Sequence, residues 1–215
     1  MSDLVLYGES SWVSPWVFHA MTALEEKGLA YELRLPPLPL DEATRSQLRD
    51  RTVFGKVPVL VHGEAWIGDS LAISEYVAET FPSTQGFPRL FPADLAMRAR
   101  ARGVMQLVRI SFAALREERP TDSVFGANAG EKAGVPMSPR ARADADEVIR
   151  IASALVGDRT TIGDAWCIAD ADLALACMRL VANGDAVPPA VERYARTVWE
   201  RPSLQNYIGL ARANR

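Results

Sequence analysis

The chain has 215 residues, 48% apolar and 24% charged, with 24 Lys and Arg against 27 Asp and Glu for a formal charge of −3. This is the composition of one large or two small globular domains, long enough to bury a core without disulfides. It excludes disordered, collagen-like and coiled-coil chains, and no excess of positive charge speaks for nucleic acid or anionic lipid.

The first eleven residues lack the basic stretch, apolar run and small-residue cleavage site of a secretory signal. No window approaches the roughly 18 uninterrupted apolar residues of a membrane span, so a cytoplasmic protein that binds no membrane is expected. Residues 4–7, LVLY, read as a short buried strand. Residues 14–27 read as a helix: Ser14 can cap it, Pro15 suits its first position, and Gly28 ends it. Residues 31–35 alternate like a second strand, PPLPL breaks the pattern, and residues 41–50 read as a short polar helix. KVPVLVHGEAWI is two strand-like runs around His62-Gly63-Glu64, a hairpin signal. Asp69-Ser70 then opens a helix through Thr80 that Phe81-Pro82 halts.

STQGFPRLFP, residues 83–92, is a linker by composition, and beyond it the strand signal disappears. Residues 93–119 read as one long helix, 120–138 as a long Gly/Pro-rich loop and 139–156 as a second helix. Residues 170–183 are apolar nearly all round, which predicts a central buried helix, and 188–199 and 203–213 complete the set. The expected architecture is an α/β domain over residues 1–82, a linker over 83–92 and an all-helical domain over 93–215. The first half has too few strands for a doubly wound nucleotide fold and no glycine-rich phosphate loop.

The two cysteines, Cys167 and Cys177, have no metal-ligand spacing and read as reduced, buried thiols. His19 and His62 stand far apart with no acidic or cysteine cluster around them, so no metal site is expected.

The βαβ, α, ββα order, with Val57-Pro58 opening the third strand and Asp69-Ser70 opening the next helix, resembles the thioredoxin-like domain of glutathione transferases. Trp166-Cys167-Ile168-Ala169-Asp170 looks like that family's S/T-I-A-D segment before the central helix of its second domain. The resemblance covers essentially the whole chain. Within the family, the run Arg116-Glu117-Glu118-Arg119-Pro120-Thr121-Asp122 together with WCIADADLALA resembles the bacterial YfcF-type members.

The resemblance implies an enzyme that binds glutathione as substrate, needs no further cofactor, and forms a two-fold dimer. Ser14-Pro15-Trp16-Val17 sits where thioredoxins carry two cysteines, so neither two-thiol exchange nor one-cysteine glutathionyl exchange is available there. At the positive end of the first helix, the Ser14 hydroxyl can donate to a bound thiolate. A charge-assisted bond of about 1.5–3 kcal/mol would lower a thiol pKa by about one to two units. Ser14 can equally be a plain helix cap, and Ser10 and Ser11 in the same loop compete for the role.

Val57-Pro58 matches the family's cis-proline, whose preceding backbone pairs with the cysteinyl part of glutathione. Lys56 either meets the glycyl carboxylate or is a solvated lysine. Asp69 can accept from the γ-glutamyl ammonium, and Ser70 and the helix N–H groups can bind its carboxylate; a simple helix cap predicts the same two residues. Cys167 replaces the usual hydroxyl cap, while Asp170 is expected to keep its half of the capping box.

By the same analogy the helix over 93–119 lines the second-substrate pocket. Met105 and Phe112 can form an apolar wall, and Arg109 and Arg116, seven apart on one face, can attract an anionic co-substrate. The alternatives are helical core packing for the first pair, binding of glutathione's carboxylates for the arginines, and, for Arg116 to Arg119, surface ion pairing with Glu117 and Glu118. The electrophile can be a carbon centre or a peroxide oxygen, as in a detoxifying peroxidase. The rival functions are disulfide reduction assisted by two glutathiones and a non-catalytic glutathione- or protein-binding module.

Overall fold

The structure, a computed structural model, describes residues 3–214. Met1, Ser2 and Arg215, which the expected domain bounds include, lie outside the described residues. The chain forms two compact units that meet in sequence at Leu90 and Phe91.

The first unit runs β1 (Leu4–Tyr7), α1 (Pro15–Glu26), β2 (Glu32–Arg34), α2 (Glu42–Thr52), β3 (Val59–His62), β4 (Ala65–Gly68) and α3 (Ser70–Thr80). Its mixed sheet has the order β2-β1-β3-β4, with β1 parallel to β2 and antiparallel to β3, and β3 antiparallel to β4. Strand alternation sorts the side chains between two faces. Val5, Tyr7, Val59, Val61 and Trp66 share a core with Leu40 and Leu48, the latter on α2. Leu4, Leu6 and Leu60 turn to the opposite face, where His62 Nδ1 hydrogen-bonds the Tyr76 hydroxyl of α3 at 2.8 Å. On that side α1 packs on α3, burying Val17, Phe18, Met21 and Leu24 with Ile73 and Val77.

The second unit runs α4 (Leu95–Ile110), α5 (Ala113–Glu118), α6 (Asp122–Phe125), α7 (Pro139–Val156), α8 (Ile168–Val181), α9 (Pro189–Trp199) and α10 (Pro202–Ala213). All fourteen residues of α8 are buried, as its near-uniform apolarity predicts, and α4, α6, α7 and α9 pack against it. The capping box survives the loss of the hydroxyl in the expected half. The Asp170 carboxylate accepts from the N–H of Cys167 at 2.9 Å and of Ile162 at 2.7 Å, and the Tyr194 hydroxyl reaches it at 3.1 Å.

Two expectations are corrected in this unit. Residues 93–119 are not one helix: α4 stops at Ile110, Ser111 and Phe112 turn the chain with Phe112 at φ 61°, and α5 starts afresh. No glycine or proline marks the break, so local propensity cannot reveal it. Partners supplied from elsewhere hold it instead: Asp144 accepts from the Leu115 N–H at 3.1 Å, and Arg116 Nη1 donates to the Arg109 carbonyl at 2.5 Å. The stretch 120–138 is likewise no open loop. It contains α6, and Asn183 pins it by accepting from the Lys132 N–H at 3.2 Å and donating to the Ser123 hydroxyl at 3.0 Å.

Both cysteines are buried and free, and burial pushes each thiol up to about 12. The thiolate is the reactive form. A disulfide reagent at pH 8 is therefore expected to label neither thiol in the folded protein and both in denaturant, which a thiol titration checks. Labelling of either in the native state would contradict the structure.

Candidate functional site

Strand register decides where the site segments of the first unit meet. Tyr7, at the end of β1, lies opposite Val59 at the start of β3 and beside Arg34 at the end of β2. Val59 in turn lies opposite Gly68 at the end of β4. The chain therefore leaves or enters the sheet at one end in four places: the segments 8–14, 35–41, 53–58 and 69–70. Continuing the β3–β4 register sets Pro58 beside Asp69. Candidate residues scattered over 57 positions of sequence thus gather at one sheet end.

The segment 9–14 is shaped from inside by a charged side chain. Glu9 is fully buried, and its carboxylate accepts from the N–H groups of Ser11 at 2.7 Å, Val13 at 2.8 Å and Ser14 at 3.0 Å. Within this turn Trp12 adopts φ 54°. Buried acceptors of this kind are costly to remove, because each freed N–H loses its partner away from water. Glu9→Gln, which cannot satisfy all three donors, is expected to lower stability by about 1–3 kcal/mol. Chemical denaturation checks this, and an unchanged midpoint would contradict it.

Ser14 ends the turn and caps α1. Its Oγ accepts from the Val17 N–H at 3.3 Å, and its φ of −76° and ψ of 116° are those of an ordinary N-cap. A serine hydroxyl can accept at a lone pair and donate its proton at once. The cap and the donor are thus compatible roles of one side chain. Ser14 is half-buried, and it lines a cleft of about 690 Å³ in this unit.

The same cleft is lined by Lys56 and Val57 and by residues that carried no functional signal in the sequence: Trp16, Leu38, Pro39, Arg45, Arg49 and Phe54. Three cations therefore surround one space. Arg45 Nη2 donates to the Leu40 carbonyl at 3.2 Å and stands 3.9 Å from Glu42. Arg49 and Lys56 have no carboxylate partner among the described residues. Such a wall, beside the positive end of a helix, suits an anionic ligand with a narrow apolar portion. Arginines on a polar, exposed helix resemble ordinary solvated charges, so only the fold reveals their convergence.

The Val57–Pro58 peptide bond is cis, as is Leu38–Pro39. Asp69 and Ser70 stand just past the end of β4, and Ser70 is buried. Asp69 does cap α3, since its Oδ1 accepts from the N–H groups of Leu71 at 2.8 Å and Ala72 at 3.2 Å. Capping alone does not account for its backbone. Asp69 sits at φ 74° and ψ 132°, far from the extended conformation of an N-cap and close to a region left mostly to glycine. The Asp69 carboxylate is exposed, and its Oδ2 takes neither of the two cap bonds.

The second unit treats its four candidates differently. Met105 is fully buried in the core of the unit. Arg109 is buried too, with Nε 2.5 Å and Nη2 3.2 Å from the two carboxylate oxygens of Asp172. Phe112 and Arg116 are half-buried. The expected shared helical face of Arg109 and Arg116 does not exist, because the chain breaks between them at Ser111 and Phe112. Among the described residues, no group of three or more His, Cys, Asp or Glu could hold a metal ion, and no helix is long and apolar enough to cross a membrane.

Two family models match the chain. The one described as "Glutathione S-transferase, N-terminal domain" matches residues 13–80, and the one described as "Glutathione S-transferase, C-terminal domain" matches residues 94–213. Glutathione S-transferase U13 of Arabidopsis thaliana is 37% identical over 122 residues, which is 56% of this chain and only 50% of that protein. A solved glutathione transferase homolog from Burkholderia gl BGR1, with bound glutathione, superposes with a TM-score of 0.76 at 32% identity over 96% of both chains. Rice GST1 in complex with glutathione gives a TM-score of 0.69 at 25% identity, over 96% of this chain and 92% of that one.

Proposed function

The chain belongs to the glutathione S-transferase family, and on that premise we propose that it binds glutathione in the cleft of its first unit and activates the thiol for attack on an electrophile. The observation that carries the reading is the Ser14 hydroxyl, held at the N-terminus of α1 on the wall of a cleft lined by Arg45, Arg49 and Lys56. Glutathione bound to two structural neighbours supports the choice of ligand.

Each end of the tripeptide finds complementary chemistry. The γ-glutamyl ammonium meets Asp69 Oδ2, and its carboxylate meets the Ser70 hydroxyl at the positive end of α3. The cysteinyl backbone pairs with the main chain of Val57, before Pro58. The glycyl carboxylate meets Lys56, with Arg45 and Arg49 within the same wall. Those contacts leave the sulfur beside Ser14. A free thiol with a pKa of about 8.5 is only a few per cent ionised at neutral pH, and a drop of one to two units raises that to about a quarter to three quarters.

The thiolate then attacks a carbon electrophile and displaces its leaving group, or attacks a peroxide oxygen. In the second case the O–O bond breaks, an alcohol leaves with the proton, and glutathione sulfenic acid remains. A second glutathione converts that to the disulfide and water. Phe112 and Arg116 are the residues of the helical unit proposed to meet the second substrate. The runs Arg116 to Asp122 and Trp166 to Ala176 support a YfcF-type assignment in the same reading. A cytoplasmic two-fold dimer belongs to it as well, checked by sedimentation.

Steady-state assays with reduced glutathione against an aryl halide and an organic hydroperoxide test the proposal. Turnover with either supports it. Asp69→Asn is expected to raise the glutathione KM by about fivefold with kcat little changed, the modest size reflecting an exposed ion pair. An unchanged KM would remove Asp69 from the site.

A further inference from the structure

We propose that the helical unit binds a free α-amino acid with a branched or aromatic apolar side chain, in a cavity of about 220 Å³ between α4, the end of α7 and the segment 157–167. The site does not depend on the glutathione reading.

The cavity is built from one helix face, one helix end and one loop. Met97, Arg100, Ala101 and Val104 line it from α4, at the i, i+3, i+4, i+7 spacing that shares one face. Ala154 and Leu155 line it from the last turn of α7. Arg159 ties the following segment to that helix end. Its Nη2 donates to the carbonyls of Leu155 at 2.6 Å and Ile162 at 3.2 Å, and its Nε to that of Val156 at 3.4 Å. Room remains between these walls because three of the residues lining them are small: Ala101, Ala154 and Gly163. Protein interiors are close-packed, with few cavities larger than a water molecule. This one has the liquid volume of about seven waters, enough for a solute of about ten non-hydrogen atoms.

The lining is chemically divided. Ala101, Val104 and Ile162 are buried, and with Met97 and Leu155 they make an apolar interior. Three charged residues, Arg100, Arg159 and Asp164, line the same space and are exposed, which puts them at its mouth. Among the described residues neither Arg100 nor Asp164 has a side-chain partner, and the three bonds of Arg159 all go to neutral carbonyls.

This combination selects a ligand that carries both signs of charge. A purely anionic ligand would bring its charge towards the Asp164 carboxylate, and like charges repel. An α-amino acid presents both signs on one carbon. Its carboxylate suits the guanidinium forks, its ammonium suits Asp164, and its side chain enters the apolar interior. Leucine and phenylalanine are of the size that the cavity admits.

Thermal unfolding of the full chain tests the site, with L-leucine or L-phenylalanine titrated in at constant ionic strength. The wild-type Tm is expected to rise by about 3–6 °C at ten times the dissociation constant. Glycine, which lacks the apolar side chain, reports the general solute effect and is expected to give no saturable rise. Hydrocinnamate, which is phenylalanine without its ammonium, is expected to bind about fivefold more weakly than L-phenylalanine. Gly163→Val is expected to abolish the rise by occupying the cavity. A Cβ there would stand 3.5 Å from Met97 Cε and 3.8 Å from the Ala165 carbonyl, which is ordinary contact that the fold accepts. Asp164→Asn is expected to bring L-phenylalanine down to the affinity of hydrocinnamate; its exposed position lets it decide alone should Gly163→Val fail to fold. Asp69→Asn, in the other unit, is expected to keep the rise. A response no larger than that of glycine, equal binding of hydrocinnamate, or a rise kept in Gly163→Val would overturn the proposal. So would loss of the rise in Asp69→Asn, which would move the amino acid to the cleft of the first unit.

Discussion

Ser14→Ala is expected to raise the pKa of bound glutathione by about one to two units and to slow turnover at pH 7 by about 3- to 25-fold. The upper figure is the loss of thiolate alone. The lower figure allows for the greater intrinsic nucleophilicity of a more basic thiolate. The sign fixes the pH dependence. The thiolate is scarce in the variant below its raised pKa, so the deficit is largest near neutrality and closes above about pH 10. Glutathione affinity is expected to change little, because the ends of the tripeptide are held at Lys56, Val57, Asp69 and Ser70.

Ser14 also caps α1 through the Val17 N–H. The substitution is therefore expected to cost about 1 kcal/mol of stability as well. Thermal unfolding measures that loss separately, and a pH-rate profile separates the two effects: a loss of folded protein lowers the rate equally at every pH. A profile of unchanged shape would leave Ser14 as a cap only. A shift obtained with Ser11→Ala or Ser10→Ala instead would move the thiol contact within the turn.

The largest expected effect on stability lies in the other unit. Asp172→Ala is expected to destabilise the protein by about 3–5 kcal/mol, and so to lower Tm by about 6–20 °C. Asp172 is fully buried, and its two oxygens hold the 6%-exposed side chain of Arg109. Truncating it strands a guanidinium inside the unit. The stranded charge, rather than the net value of the pair, causes the loss. Replacing both partners, Arg109→Met with Asp172→Leu, is therefore expected to recover most of the loss. Denaturant titration of the three variants checks this. A double variant as unstable as Asp172→Ala would show that packing, and not charge, dominates.

The parts legible in the sequence are those with local causes. Strand alternation, the Pro15 and Gly28 punctuation, and the capping side chains of Ser14 and Asp69 all appear as bonds or boundaries in the structure. The apolar run around Leu173 and Leu175 likewise becomes a buried helix. The parts not legible have distant causes. The break at Phe112 depends on Asp144, which lies 32 residues further on. Glu9 reads as one polar residue in a Gly/Ser turn, and nothing local announces that three N–H groups will enclose it.

The cleft shows the same division. Ser14, Lys56 and Val57 could be singled out through a resemblance, because their neighbours carry motifs. Arg45 and Arg49 could not, since their only distinction is the space that α2 makes them share with Lys56. Asp69 is an intermediate case. Its side chain could be read either as a cap or as a ligand contact, and the backbone conformation adds what the sequence lacks, because an ordinary cap needs no strain.

Every proposed role in the first unit depends on glutathione occupying its cleft. Calorimetric titration of the full chain with reduced glutathione tests it most directly, repeated with Arg49→Ala. Saturable binding of one tripeptide per chain is expected, weakened in the variant. The absence of any binding heat at millimolar glutathione would contradict it, and would mean that the family's fold here serves a different ligand.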